Sequence, residues 1–444
     1  MSTKERQMNL GAFLYFVGHH VAAWRHPEAK SAKILDLNFY KELAQIAEQG
    51  KFDMIFLADN VVLPHSTAVS YTASVKPEPI TLLSALSAVT KHIGLAATVT
   101  TTYTEPFHIA RMFASLDHLS GGRAAWNVVT SAYSTEASNF SKEKHPVHSL
   151  RYERAREYID VVTRLWDSWE DEALIIDKES GVFADVDKIH TIDYKGENFS
   201  VRGPLNVSRT PQGRPIIIQA GSSGPGKDLA AQTAEVIFTA QQTIEDAQAF
   251  YSSVKGQLSQ YGRSESDVKI MPGIMPIIGA TLKEAREKEA FLQDLIHPMA
   301  GVGLLSDLMD HDLSVYPLDG PLPDFPETNG GKSRSDLLIN LARKENLTIR
   351  ELSLRIAGAR GHRTVVGTPD MIADQLEEWF TNGAADGFNI MPSYLPGGLE
   401  EFVNTVIPVL QQRGLFRREY SGNMLRDHLG LARPQNKFSG VTVR

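Results

Sequence analysis

RPIIIQAGSSGPGKDLAAQTA, residues 214–234, is the stretch whose reading decides the fold. Pro215-Ile216-Ile217-Ile218 is an uninterrupted β-branched run, the pattern of a strand buried on both faces. Gly221, Ser222, Ser223, Gly224 and Gly226 then make a turn into a helical segment. Glycines let a backbone approach a ligand closely, and a helix N-terminus presents unpaired N–H groups to an anion. The stretch therefore reads as strand, phosphate-holding turn, helix. The spacing from Gly221 to Gly226-Lys227 nearly meets the nucleotide pattern G-x-x-x-x-G-K-[ST], but Asp228 stands where a hydroxyl should bind Mg²⁺. A flavin or sugar phosphate on a barrel loop and a plain strand-to-helix turn are the other readings of this stretch.

Outward from this unit the same alternation repeats. Strands are expected at Met8 to Val17, Phe52 to Ala58, Ile93 to Val99 and Arg123 to Thr130 before it, and at Glu235 to Ala240, Val268 to Gly279 and Gly387 to Met391 after it. Amphipathic helices fill the gaps, and such alternation implies parallel strands joined by crossover helices. Eight strands and eight helices in 444 residues predict a single (β/α)₈ TIM barrel domain over 1–444, with insertions. The pattern breaks over 297–363, where Pro317, Pro321, Pro323, Pro326 and Gly330-Gly331 cluster; a long irregular insertion is expected to be a lid. The segment 415–444 is expected to form a C-terminal arm, reaching across a partner subunit.

Composition narrows the function. The net charge of −8 and the lack of a dense basic run argue against nucleic acid as a partner. There is no cysteine, which excludes disulfides, thiolate metal sites and cysteine nucleophiles. No apolar run reaches the roughly 20 residues that span a bilayer, so a cytoplasmic protein is the expectation. Adjacent His19 and His20 lack a metal-ligand spacing, and no metal site is expected; a pocket role and a structural one both remain open for them.

In a barrel, the residues just past the strand C-termini share one face. These include His19-His20, Asp59, Thr98 to Thr102, Asn127 to Ser131 and Ser222-Ser223, a set rich in hydroxyls and amides. Asp59 is placed either to function there or to cap the following turn. Period-two alternation puts Asn127 with Ser131, and Thr98 with Thr100, as suits a polyol such as ribityl. His148 and Tyr152, four apart on a helix, share a face that can meet a phosphate or simply solvent.

The order of motifs is more specific than any one of them. AAWRHPEA, KFDMIFLADN, EPITLLSALSAVTKHIGL, EPFHIARMFASLDHLSGGRAAWNVVTS, RYERAREYIDVVTRLWDSWEDEA, QAGSS, AADGFNIM and VIPVLQQRGLFRREYSGNMLRDHLGL resemble the nitrilotriacetate and dibenzothiophene-sulfone monooxygenase family, within the bacterial-luciferase-like superfamily. The resemblance implies reduced FMN (FMNH₂) supplied by a separate NAD(P)H:FMN reductase, O₂ as co-substrate, and a homodimer or homotetramer. It implies that Asp59, Thr98, Asn127, His148, Tyr152 and Ser223 surround the flavin, the last three near its phosphate, and it assigns the Ser222-Ser223 turn to that phosphate. Phe13, Phe16, Phe56 and Phe238 are then expected as an apolar substrate wall. His19 and His20 match a region that carries pocket histidines in relatives, whereas Ala132 stands where some relatives have histidine. The implied reaction is oxygenation of a small organic nitrogen or sulfur compound with C–N or C–S cleavage. A deazaflavin-dependent oxidoreductase of the same fold and a non-catalytic flavin-binding protein are the alternatives.

Overall fold

Apolar runs too continuous for a one-sided sheet must be covered on both faces, and a computed structural model of the chain, which describes residues 6–63, 67–324 and 332–439, shows how. Barrel strands β1 (Asn9–Phe13), β2 (Met54–Leu57), β3 (Gly94–Thr100), β4 (Ala124–Val129), β5 (Ile216–Ala220), β6 (Val236–Thr239), β7 (Lys269–Ile278) and β9 (Gly387–Ile390) pair in parallel in that order. Pairing of β1 with β9, Gly11 opposite Asn389, closes the ring into a (β/α)₈ TIM barrel. Small and large side chains alternate inside it: Gly11, Ala96, Ala125 and Gly273 leave the volume that Phe13, Met54, Phe56, Ile218 and Met271 fill. A Cβ on Gly11 would lie 1.9 Å from Asn389 Oδ1, so close strand approach requires glycine there.

Outer helices cover the other face. They are α1 (Leu37–Gln49), α2 (Pro79–Ser87), α3 (Pro106–Ser120), α4 (His148–Asp167), α5 (Gly224–Thr233), α6 (Ile244–Lys255), α7 (Leu282–Asp294) and α11 (Pro369–Thr381), with a final helical run over 397–412. Side-chain caps fix several starts: Asp36 on α1, Glu78 on α2, Ser223 on α5, Thr243 on α6 and Thr281 on α7.

Three features depart from the sequence expectation. The stretch 297–363 is mostly helical: α8 (Pro298–Met309), α9 (Lys332–Glu345) and α10 (Ile349–Ala359) enclose their own core of Leu305, Leu313, Leu338, Leu352 and Ile356. Pro326 and Gly330-Gly331 lie outside the described residues. A ninth strand, β8 (Arg363–Gly367), pairs with the far half of β7, Ile274 to Ile278, where β6 has already ended. Strand β1 stops at Phe13 because Phe16 takes a left-handed conformation (φ 49°) and Gly18 follows at φ 137°, folding the chain back on itself.

Residues 415–439 pack on their own barrel. Leu425 lies against Gly94, Arg426 pairs with Glu235 at the head of β6, and Arg417 meets Asp53 at 2.5 Å. This segment floors the barrel at the strand N-termini, leaving the opposite end open.

Candidate functional site

That open end holds a cavity of about 870 Å³, a size suited to a cofactor-like ligand. Its lining comes from the loops after β2, β4, β5 and β6, from the start of α4, and from Leu337, Asn340, Leu341 and Lys344 of α9. The insertion thus lies across the mouth.

The Gly/Ser turn forms one wall. Ser223 caps α5, its Oγ accepting from Gly226 N–H at 3.2 Å, and Ser222 Oγ lies 3.2 Å from Thr239 Oγ1. Above the turn sits Tyr152: a Cβ added to Gly226 would come within 3.2 Å of its hydroxyl, one added to Gly221 within 3.4 Å. That hydroxyl makes no hydrogen bond among the described residues, and the His148 ring lies 4.9 Å from the Tyr152 ring. Lys227 lines the same wall with a long 3.4 Å bond to Ser253 Oγ and no carboxylate partner among the described residues. Asp228, which stands where the nucleotide pattern needs a hydroxyl, points elsewhere, to Arg156 at 2.6 Å and to the Tyr261 hydroxyl. A helix N-terminus, a hydroxyl-bearing turn, a free phenol and an uncompensated ammonium together make an anion cradle.

The remaining walls are polar on one side and apolar on the other. Thr98 and Thr100 both line the cavity, on one side of their strand as alternation gives; Thr98 accepts from Asn127 Nδ2 at 2.8 Å, and the Thr100 and Ser131 hydroxyls lie 2.8 Å apart. Asn127 itself sits one layer back. Asp59 pairs with Lys76 at 3.3 Å, and burial, opposed by Lys76, raises its carboxyl above the ordinary range. Opposite, Phe238 lines the cavity, stacked 5.0 Å from His362, with Phe13 and Phe56 behind it at 5.3 and 5.4 Å. Phe16 stands outside the lining, against Tyr15.

His19 and His20 do not reach the cavity. The left-handed turn at Phe16 folds them inward, both almost fully buried. His19 Nε2 donates to Phe13 O at 2.9 Å, since a carbonyl only accepts, and His20 Nδ1 accepts from Ala22 N–H at 3.2 Å. Burial, with Arg360 adding to it, pushes both rings down to about 3, so they stay neutral at working pH. Unfolded histidines bind protons near 6.5; the folded protein therefore loses stability as pH falls from about 6.5 towards 3. His20→Asn keeps an acceptor for Ala22 and is expected to flatten the fall of melting temperature over that range; an unchanged slope would contradict the assignment.

Among the lining residues that the sequence reading did not single out are Glu136, Gln219, Gln241 and His362. Glu136 is buried, its Oε1 accepting from Val61 N–H at 3.2 Å and its Oε2 unpaired; burial raises its carboxyl. Gln219 Oε1 is likewise buried without a partner. Gln219, inside the quoted stretch at the strand end, carried a usable signal; Glu136 and His362 carried none, because turns bring them to the cavity.

A closed parallel barrel with its cavity at the strand C-termini is the frame of one family this chain matches, the luciferase-like monooxygenases. The chain belongs to that family: the family model described as luciferase-like monooxygenase matches residues 12–386. It is 55% identical to the N-acetyl-S-(2-succino)cysteine monooxygenase of Bacillus subtilis (strain 168), over 99% of this chain and 100% of the relative. It is 52% identical to nitrilotriacetate monooxygenase component A of Aminobacter aminovorans, over 98% of each. A solved riboflavin lyase, holding a modified FMN and riboflavin, superposes with a TM-score of 0.89 at 30% identity, covering 99% of this chain and 100% of that one.

Proposed function

We propose that the protein is a two-component, FMNH₂-dependent monooxygenase that oxygenates a small organic nitrogen or sulfur compound and breaks its C–N or C–S bond. The observation that carries this reading is the anion cradle, in which the Tyr152 hydroxyl lies over the Gly221–Gly226 turn and Lys227 lines the same cavity with no carboxylate partner among the described residues. The relatives support the chemistry: a "component A" implies a second component, and a riboflavin lyase of the same fold holds a modified FMN.

In this reading Ser222, the backbone at Ser223, His148, Tyr152 and Lys227 hold the phosphate. Thr98, Thr100 and Gln219 face the ribityl hydroxyls, with Asn127 orienting Thr98 from behind. Bound reduced FMN supplies the two electrons with which one oxygen atom of O₂ enters the substrate and the other leaves as water. The protein's own share is positional. Phe238, backed by Phe13 and Phe56, keeps the reacting region dry, α9 covers the mouth, and Asp59 with Lys76 fixes the polar end. His19 and His20 act in this scheme by holding the turn after β1 rather than by proton transfer, since both stay neutral. A NAD(P)H:FMN reductase delivers the flavin, and the enzyme works as a homodimer or homotetramer.

Equilibrium titration with oxidised and anaerobically reduced FMN, FAD and a deazaflavin tests the reading. Tightest binding of reduced FMN is expected, followed by substrate-dependent O₂ consumption when a flavin reductase is added. No binding of any reduced flavin would overturn it, and preference for the deazaflavin would replace oxygenation by hydride transfer.

A further inference from the structure

Between α4 and β5 two short strands outside the barrel, Leu174–Asp177 and Val182–Ala184, form an antiparallel hairpin. Its apolar residues find no core. Leu174, Ile175, Ile176, Val182 and Phe183 are all exposed, as is Val186 just past the second strand, and none of them joins a hydrophobic cluster of the fold. Phe183 leaves 65% of its surface open and Val186 76%. A two-stranded sheet with neither face covered is marginal in water. The base, by contrast, is firm: Ala173 is fully buried, its carbonyl accepts from Asp185 N–H at 2.8 Å, and Asp171 is paired with Arg433 of the floor segment.

The local backbone gathers the apolar side chains together. Leu174 stands opposite Ala184 and Asp177 opposite Val182, so Ile175 and Ile176 oppose Phe183 alone, a β-bulge. Ile176 adopts left-handed backbone at φ 51°, where a β-branched residue is strained and glycine would be at ease. That strained turn places two isoleucines against one phenylalanine on a surface open to water.

Charge and area narrow what covers it. Glu172, Asp177, Glu179, Asp185 and Asp187 border the hairpin, with Lys178 and Lys188 as its cations. Lys188 holds Glu172 at 3.1 Å, Asp177 is turned back on Glu179 N–H and the Ser180 hydroxyl, and Asp185 on Asp187 N–H. This acidic rim repels the phosphates of a lipid surface or a nucleic acid, which leaves an apolar protein face as the occupant. The open apolar surface amounts to about 600 Å², the upper end of what a lone protein shows, and two such faces together bury about 1,200 Å², the lower end of a standard interface. A second copy of the hairpin supplies a face of the same size and kind.

We propose that the 174–186 hairpin is a homo-oligomer interface, packing about a two-fold axis on the same hairpin of a second copy, with Ile175, Ile176 and Phe183 at its centre. This names the surface for the homo-oligomer of the reading above and does not depend on its flavin chemistry. The like-charged rims stay solvated at the edge of such a contact, so salt is expected to tighten it by screening them.

The test is the mass of the full chain by light scattering across a dilution series. The wild type is expected as an even-numbered oligomer. Phe183→Asp should raise the dissociation constant roughly a hundredfold and run at half the wild-type mass where the wild type is fully assembled. Ile176→Gly relieves the backbone while removing an apolar contact, so it should fold at least as well and raise the constant roughly tenfold; it carries the test if Phe183→Asp does not fold. A wild type that runs as a single chain at every concentration overturns the proposal, as does an unchanged mass in Phe183→Asp or an unchanged constant in Ile176→Gly. Association that weakens with salt overturns the face-to-face pairing in favour of a basic surface elsewhere on the second copy. None of residues 174–186 lines the flavin cavity, so reduced FMN is expected to bind wild type and variants alike, and a failed mass measurement leaves the flavin reading standing.

Discussion

Ser223→Asp is expected to fold and melt like the wild type and to bind reduced FMN ten- to a hundredfold more weakly. Ser223 occupies the N-cap of α5 in extended backbone (φ −67°, ψ 160°), with its Oγ accepting from Gly226 N–H. Aspartate is as good an N-cap as serine, so the helix start survives. What changes is charge in the anion cradle. Two like charges ~5 Å apart at an effective dielectric of ~20 repel by about 3 kcal/mol. Lys227 and solvent absorb part of that, and every 1.4 kcal/mol left is about tenfold in affinity. Ser264→Asp is the control, because Ser264 begins an exposed 3₁₀ turn at 265–267. Equal flavin affinity in the two variants would remove the phosphate from the Gly/Ser turn.

Arg426→Met is expected to cost about 3–5 kcal/mol of stability, read as a lower urea midpoint. Its guanidinium is almost fully buried and meets Glu235 at 2.5 Å, while Glu235 Oε2 also accepts from Ile217 N–H at 3.1 Å. Without the arginine, a buried carboxylate faces the barrel floor with Arg214 as its nearest remaining relief. The pH dependence follows from Glu235. Burial alone would raise its carboxyl, but Arg426 and Arg214 override this and hold it below the ordinary range. A depressed carboxyl stabilises the fold above its unfolded pKa and ceases to do so as pH falls through the folded one. The gap between variant and wild type should therefore be widest at neutral pH and narrow in acid. A gap that stays constant down to strongly acidic pH would show that packing, not the ion pair, holds the floor.

The barrel was legible in the sequence because its strands are buried on both faces and so appear as apolar runs of strand length between turn residues. Gly387–Ile390 and Lys269–Ile278 emerge within a residue or two of expectation for that reason. Strand β8 did not, since its register on β7 exists only after β6 has ended. The helices of 297–363 escaped because the prolines and glycines drew attention from the apolar spacing of Leu338, Leu352 and Ile356. In the site, the Gly/Ser turn was readable as the junction of strand and helix, and Thr98 with Thr100 as sharing one side of their strand from its period. His19 and His20 show the limit of position along a strand: the backbone at Phe16 decides where they go, and a positive φ at phenylalanine has no sequence signature. Glu136 depends on the turn at Ser131, also left-handed at φ 62°.

The floor sealed by residues 415–439 has a consequence for biosynthesis. Strand β1, at residues 9–13, has β9, at residues 387–390, as one of its two neighbours, and the seal comes later still. At roughly 5–20 residues per second, the first strands wait on the order of half a minute or more for the partners that close the ring. Until then the nascent chain carries parallel strands with open edges. The segment that seals the floor thus leaves the ribosome after every barrel strand, and termination before residue 387 leaves an unfinished sheet for chaperones to hold.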